Sequence, residues 1–152
     1  MFDHPNKAAF IGILTLVDVP SDKSPAGARG HKVVLTKTAA QNALPTLIGM
    51  PLNYRAEFDG HDVNHKLGII DSAEICGSEL IVSGYLFKRD EPTVVARIAA
   101  CTDDLGMSYE LADARVEDMR AVVWELTRVT FTGAALLLKT KAAYKLTDFV
   151  LV

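Results

Sequence analysis

The feature that most restricts the fold is the division of the chain into short apolar runs of strand length. Clear examples are Ala8–Val19, which stops at Pro20, and the pair Leu67–Ile75 and Leu80–Phe87. The turn-forming segment Cys76–Glu79 separates that pair, so it is predicted to be a hairpin. Few connections have the length of the helical crossover that joins parallel strands, and an antiparallel sheet is therefore favoured.

The rest of the chain alternates in the same way between apolar runs and turn-rich segments. We predict strands at His31–Leu35, Leu105–Leu111 and Ala121–Phe131, a charged loop at 112–120, and helices beginning at Thr36 or Thr38, at Pro92 and at Gly133, the last running to Tyr144. Together these elements predict one α+β, mainly β domain over residues 1–152. The expected architecture is a closed or nearly closed antiparallel β-barrel of about six to eight strands flanked by short helices.

Composition and charge argue against several classes of function. The formal net charge is −3 and the basic residues are scattered, so we expect no nucleic-acid partner. The N-terminus lacks the layout of a signal peptide and the apolar runs are too short to cross a bilayer, so we expect an intracellular protein without a membrane partner. Cys76 and Cys101 are too far apart for a CxxC motif, and His61 and His65 lie beside Gly60 in a loop. We therefore expect no metal and no cofactor.

Three polar residues attract attention because they interrupt or precede strongly apolar strands. Ser108 follows Gly106 in an apolar run, Glu125 lies between Trp124 and Leu126, and His61 lies on a loop that leads into a strand. A serine hydroxyl is a weak nucleophile that needs a base to take its proton, and the base needs a partner that orients it. Each residue alone also has an ordinary explanation, as a solvent-facing strand or loop residue.

The three segments, in this order, resemble a family. The segment HDVNHKLG, His61–Gly68, is similar to the histidine loop of the tailed-phage prohead proteases, and the herpesvirus assemblins have a related loop. Gly106–Ser108 resembles their nucleophile strand, and Trp124–Phe131 resembles a late strand of the phage family. The resemblance extends over most of the chain, from about Phe10 to about Leu138.

The resemblance implies a role for each matching residue. Ser108 would be the nucleophile, His61 the general base, and Glu125 the third member that orients His61. Backbone N–H groups of Gly133 and Ala134 would bind the negative oxygen that develops in the reaction. This chain lacks the Gly-Arg-Arg string that assemblins have there.

Two of these roles have rivals in the sequence. His65 lies in the same loop as His61, and only the spacing to Gly68 favours His61 as the base. Glu110 lies two residues after Ser108, on the same face of a strand, and could orient the base in place of Glu125.

The resemblance implies a serine endopeptidase that cleaves scaffold or major capsid protein segments during procapsid maturation, and also itself. Such an enzyme would act inside the assembling procapsid in the host-cell cytoplasm, and it could form a homodimer or a higher homo-oligomer. One alternative is a non-catalytic capsid-assembly or scaffolding module with the same fold. A small-ligand-binding barrel is a weaker alternative, because aromatic residues make up only 7% of the chain.

Overall fold

The computed structural model describes residues 3–152, which form eight β-strands and two short α-helices. The strands are β1 (Lys7–Leu16), β2 (Lys32–Leu35), β3 (Pro51–Tyr54), β4 (Lys66–Cys76), β5 (Glu79–Phe87), β6 (Leu105–Val116), β7 (Val123–Leu138) and β8 (Val150–Leu151). The helices are α1 (Lys37–Ala43) and α2 (Pro92–Ala100), and single 3₁₀ turns lie at 44–47, 56–58 and 102–104. None of the helices in this part of the chain has the length and apolar character needed to span a bilayer.

Local sequence signals account for several of these elements. The hairpin of β4 and β5 turns at Gly77, whose φ of +62° suits a residue without a Cβ atom. The side chain of Thr36 accepts a hydrogen bond from the N–H of Ala39 and so caps α1. Helix α2 begins at Pro92, as expected. The mainly β character and the number of strands are confirmed.

The prediction of a helix at 133–144 is wrong, because β7 continues as a strand to Leu138. From Gly133 to Leu137 every residue is buried, since β7 is covered on both faces and pairs with β6 on one edge and β3 on the other. A strand buried on both faces loses the alternation that distinguishes it from a helix. The charged loop predicted at 112–120 is likewise shorter, because β6 extends to Val116.

The sheet is neither closed nor wholly antiparallel. Its order is β2-β7-β3-β4-β5-β1-β8, with β6 paired along the other edge of β7. Strands β2 and β3 both run parallel to β7, along successive parts of the same edge, while the other pairings are antiparallel. The expectation of a closed or nearly closed antiparallel barrel is therefore corrected to an open mixed sheet.

The C-terminal segment 147–149 explains why β1 and β6 do not pair. The hydroxyl of Thr147 accepts a hydrogen bond from the N–H of Met107 in β6, and the carboxylate of Asp148 accepts one from the N–H of Ile13 in β1. Phe149 is fully buried and stacks on Phe10, with ring centroids 4.8 Å apart. The segment thus lies between the two strands and fills the gap in the sheet.

Candidate active site

Ser108 lies on β6, opposite Ala135 of β7. Its half-buried side chain lines a cavity of about 890 Å³, a volume within the range typical of ligand pockets. Gly106, two residues earlier, packs so closely against Thr147 that any Cβ atom would collide with the threonine hydroxyl. The glycine near the start of β6 is therefore required by close packing of the C-terminal segment.

Glu110 follows Ser108 on the same face of β6, because side chains two residues apart in a strand point the same way. Their Cα atoms are separated by roughly 6.6 Å at the usual rise per residue, a span that an imidazole ring can bridge. Glu110 also lines the cavity. Its side chain is only 10% exposed, which shields its contacts from solvent.

His61 approaches this face of β6 from the loop that precedes β4. Its Nδ1 lies 2.9 Å from Oε2 of Glu110. Because a carboxylate can only accept, this contact places the proton of the neutral ring on Nδ1 and leaves Nε2 as an acceptor. Nε2 is the nitrogen that would take a proton from a serine.

The loop that carries His61 is shaped by local contacts. Glu57 and Phe58 adopt positive φ values of +65° and +52°, a conformation that non-glycine residues rarely adopt. The burial of the Phe58 side chain, which is 2% exposed, holds this turn in place.

Within residues 3–152, Ser108 Oγ has no hydrogen-bond partner, so the bond to His61 is not formed in this state. Catalytic hydrogen bonds are often longer before substrate binds.

Glu125 does not join this group. On β7 its neighbours Trp124 and Leu126 are buried and line the cavity, whereas Glu125 is exposed and does not. The two-residue period of a strand therefore directs Glu125 to the opposite face. The structure brings Glu110, and not Glu125, to His61.

His65 belongs to a separate cluster beside the cavity. Its Nε2 lies 2.6 Å from the hydroxyl of Tyr54 and 3.3 Å from a carboxylate oxygen of Glu91, the residue before α2. The Tyr54 hydroxyl is the acceptor in its contact with His65, because it donates its one proton to Oε2 of Glu91, at 3.1 Å. Burial, reinforced by this hydrogen bond and by the charge of Glu91, raises the pKa of Tyr54 to about 12. His65 thus contacts Tyr54 and Glu91 and, unlike His61, does not line the cavity with Ser108.

Gly133 and Ala134 are part of the sheet behind the cavity-lining residue Glu110. They are in the middle of β7, where Gly133 pairs with Glu110 and the fully buried Ala134 pairs with Tyr109 and Leu52. Neither residue lines the cavity. The geometry therefore does not place their N–H groups where an oxyanion would develop beside Ser108. The expected role of these two residues finds no support in their position.

Sequence reasoning missed Asn53 on β3. Its side-chain Nδ2 donates to Oε1 of Glu110 at 2.7 Å, and Asn53 is 1% exposed. The available signal was a polar residue between Leu52 and Tyr54, but a strand of four residues is too short for its pattern to be recognised.

The cavity around Ser108 combines an apolar floor with a basic rim. Met107, Trp124 and Leu126 contribute apolar surface, and four basic side chains also line the cavity: Lys23, Arg29, Arg55 and Lys141. Glu110 is the only carboxylate of the described residues in this lining. In the same part of the chain no three His, Cys, Asp or Glu side chains are grouped so that they could hold a metal ion.

No protein-family model matches the sequence, and no curated protein matches it. Among solved structures, the fold is similar to that of KSHV protease in complex with a hexapeptide phosphonate inhibitor, with a TM-score of 0.54. The two sequences are 11% identical, and the match covers 94% of this chain and 64% of the other. The chain thus spans less than two thirds of the herpesvirus protease. At this identity the likeness concerns the fold, which resembles that of a herpesvirus protease.

Proposed function

We propose that this protein is a serine endopeptidase in which Ser108 is the nucleophile, His61 the general base and Glu110 the residue that orients His61. The observation that carries the proposal is the 2.9 Å contact between Nδ1 of His61 and Oε2 of Glu110, in a cavity that Ser108 also lines. The likeness of the fold to that of a viral protease adds support.

The chemistry follows from the orientation of the histidine ring. Ser108 Oγ attacks the carbonyl carbon of the scissile peptide bond while His61 Nε2 takes the hydroxyl proton. His61 then gives that proton to the departing amine, and the peptide C–N bond breaks. A water molecule then attacks the acyl carbon while His61 Nε2 takes one of its protons. The ester bond to Ser108 breaks, and His61 returns that proton to Ser108 Oγ. Throughout, Glu110 stabilises the imidazolium that forms and fixes the ring.

We propose that the substrates are scaffold or major capsid protein segments, together with the protease's own chain, as in the tailed-phage prohead proteases that the motifs resemble. Cleavage would then occur inside an assembling procapsid in the host-cell cytoplasm. The protease could act there as a homodimer or a higher homo-oligomer.

The apolar floor and basic rim of the cavity favour a peptide substrate with a large apolar side chain near acidic residues. Cleavage of a mixed peptide library would show this preference, whereas enrichment of Lys or Arg would contradict it.

A second candidate is a non-catalytic capsid-assembly module of the same fold. The observation that favours it is the lack of a hydrogen bond between Ser108 Oγ and His61 within residues 3–152. In this case His61 and Glu110 would form a structural pair only.

Co-expression with a candidate scaffold or capsid chain separates the two functions. The protease should shorten that chain, and Ser108→Ala should leave it intact. A matched control is Ser83→Ala, which alters another half-buried strand serine on β5. Shortening that continues in Ser108→Ala would rule out the assignment of the nucleophile.

A further inference from the structure

The buried amide of Asn53 extends the contact between His61 and Glu110 by one more residue. Glu110 uses one carboxylate oxygen for each partner: Oε2 lies 2.9 Å from His61 Nδ1, and Oε1 accepts from Asn53 Nδ2 at 2.7 Å. The three residues come from three separate segments, namely β3, the loop before β4, and β6. Both oxygens of the carboxylate are thereby fixed in direction.

The orientation of the Asn53 amide follows from this contact. If the amide were turned over, two acceptor oxygens would face each other at 2.7 Å, which is unfavourable for an ionised carboxylate. The observed orientation leaves Asn53 Oδ1 buried and without a partner among the described residues. A buried unpartnered acceptor destabilises the fold, so this asparagine is not explained by stability alone.

The neighbouring strand leaves space for the same contact. A Cβ atom on Gly133 of β7 would lie 2.6 Å from Oε1 of Glu110 and 3.5 Å from Nδ2 of Asn53. Any side chain at position 133 would therefore push the carboxylate away from its position between Asn53 and His61. Glycine here keeps room for the carboxylate.

From this geometry we infer that Asn53 is a positioning residue, which acts on the reaction through Glu110 by holding its carboxylate against Nδ1 of His61. The inference rests on the proposed function. Without Asn53, the Glu110 side chain can turn about its last torsion. Its carboxylate then no longer holds His61 by Nδ1 with Nε2 free to accept a proton. Ser108 would remain in place but would lose its oriented base.

The test measures covalent labelling of Ser108 by a fluorophosphonate probe over a range of probe concentrations. This separates the maximal labelling rate from the concentration that gives half of it. Asn53→Asp keeps the shape but replaces the donor with an acceptor beside Glu110, and Asn53→Ser removes the reach of the amide without adding charge. Asn42→Asp, on the exposed side of α1, is the matched control. Thermal unfolding verifies that each variant is folded.

We expect both Asn53 variants to lower the maximal labelling rate by about tenfold or more. The half-saturating probe concentration should stay unchanged, and Asn42→Asp should behave as the wild type. A folded Asn53 variant that labels at the wild-type maximal rate would overturn the inference. An unlabelled wild type would instead overturn the proposed function.

A spectroscopic measurement on the wild-type side chain keeps the inference testable if neither Asn53 variant folds. The side-chain amide protons of Asn53 should shift in the NMR spectrum of Glu110→Gln and stay in place in Glu125→Gln. Unchanged Asn53 signals in Glu110→Gln would show that the contact on which the inference depends does not exist.

Discussion

Replacing Glu110 with glutamine exchanges one carboxylate oxygen for an NH₂ group and reverses the pattern of hydrogen bonds around His61. Asn53 Nδ2, 2.7 Å from the present Oε1, will keep an oxygen on its side. The glutamine NH₂ group then faces Nδ1 of His61, at the 2.9 Å position that Oε2 now occupies. Nδ1 must become an acceptor, so the ring proton moves to Nε2 and His61 can no longer accept the proton of Ser108.

The expected loss has two parts. A hydrogen bond to a charged group contributes about 1.5–3 kcal/mol, which corresponds to about 10–150-fold in rate. The wrong tautomer increases this loss, and the upper bound is the total of about 10⁴ in kcat that the corresponding change of acid to amide causes in a Ser-His-Asp triad. We therefore expect Glu110→Gln to slow the reaction of Ser108 by about 10²–10⁴-fold. Because the side chains have the same shape, the unfolding temperature should change little.

Labelling by the fluorophosphonate probe gives the rate without knowledge of the natural substrate. Glu125→Gln is the matched control, since it makes the same chemical change on the exposed face of β7. It should label at the wild-type rate. If Glu125→Gln slowed labelling and Glu110→Gln did not, the assignment of the third residue would be refuted.

Further predictions concern the base, a buried hydroxyl and a glycine. His61→Gln should remove labelling, whereas His65→Gln should lower its rate by less than about tenfold; the opposite ranking would make His65 the base. Tyr109→Phe should raise the free energy of unfolding at pH 7 by about 1 kcal/mol, because the Tyr109 hydroxyl is buried and has no partner among the described residues. Burial raises the pKa of Tyr109 above its ordinary value of 10.0, so the stability linked to its neutral form is present below pH 10 and falls as the pH rises beyond it. Urea unfolding at pH 8 and 11 should show a smaller alkaline loss in Tyr109→Phe, and equal losses would contradict this reasoning. Gly133→Ala should lower the free energy of unfolding by about 1–3 kcal/mol, because its Cβ atom would lie 2.6 Å from Glu110; an unchanged urea midpoint would show that the strand shifts freely.

Structural features that depend on only a few neighbouring residues could be predicted from the sequence. Thr36 caps a helix, Pro92 begins one, and Cys76–Glu79 closes a hairpin, because each depends on neighbouring backbone groups. The extent of β7 could not be predicted, since the segments that pack against it (α1 and the turn at 44–47) and its edge partner β3 are distant in the sequence. The open sheet depends in the same way on the insertion of 147–149 between β1 and β6.

The candidate site shows the same division between local and long-range information. The strand period places Glu110 beside Ser108, and it also places Glu125 on the face opposite Trp124 and Leu126. The family resemblance nevertheless favoured Glu125 as the residue that orients His61, although the two-residue period of the strands favours Glu110. Which histidine faces Ser108 depends on how the loop before β4 folds against β6. Gly68 supplied the spacing argument for His61, yet it is required by close packing against the backbone of Tyr85.

The central claim is that Ser108 is an activated nucleophile, and the position of a covalent adduct tests it most directly. After reaction of the wild-type protein with the fluorophosphonate probe, peptide mass spectrometry should find one modified residue, Ser108. Ser83→Ala should react in the same way, and Ser108→Ala should remain unmodified. An adduct on another residue, or equal labelling of Ser108→Ala, would contradict the claim.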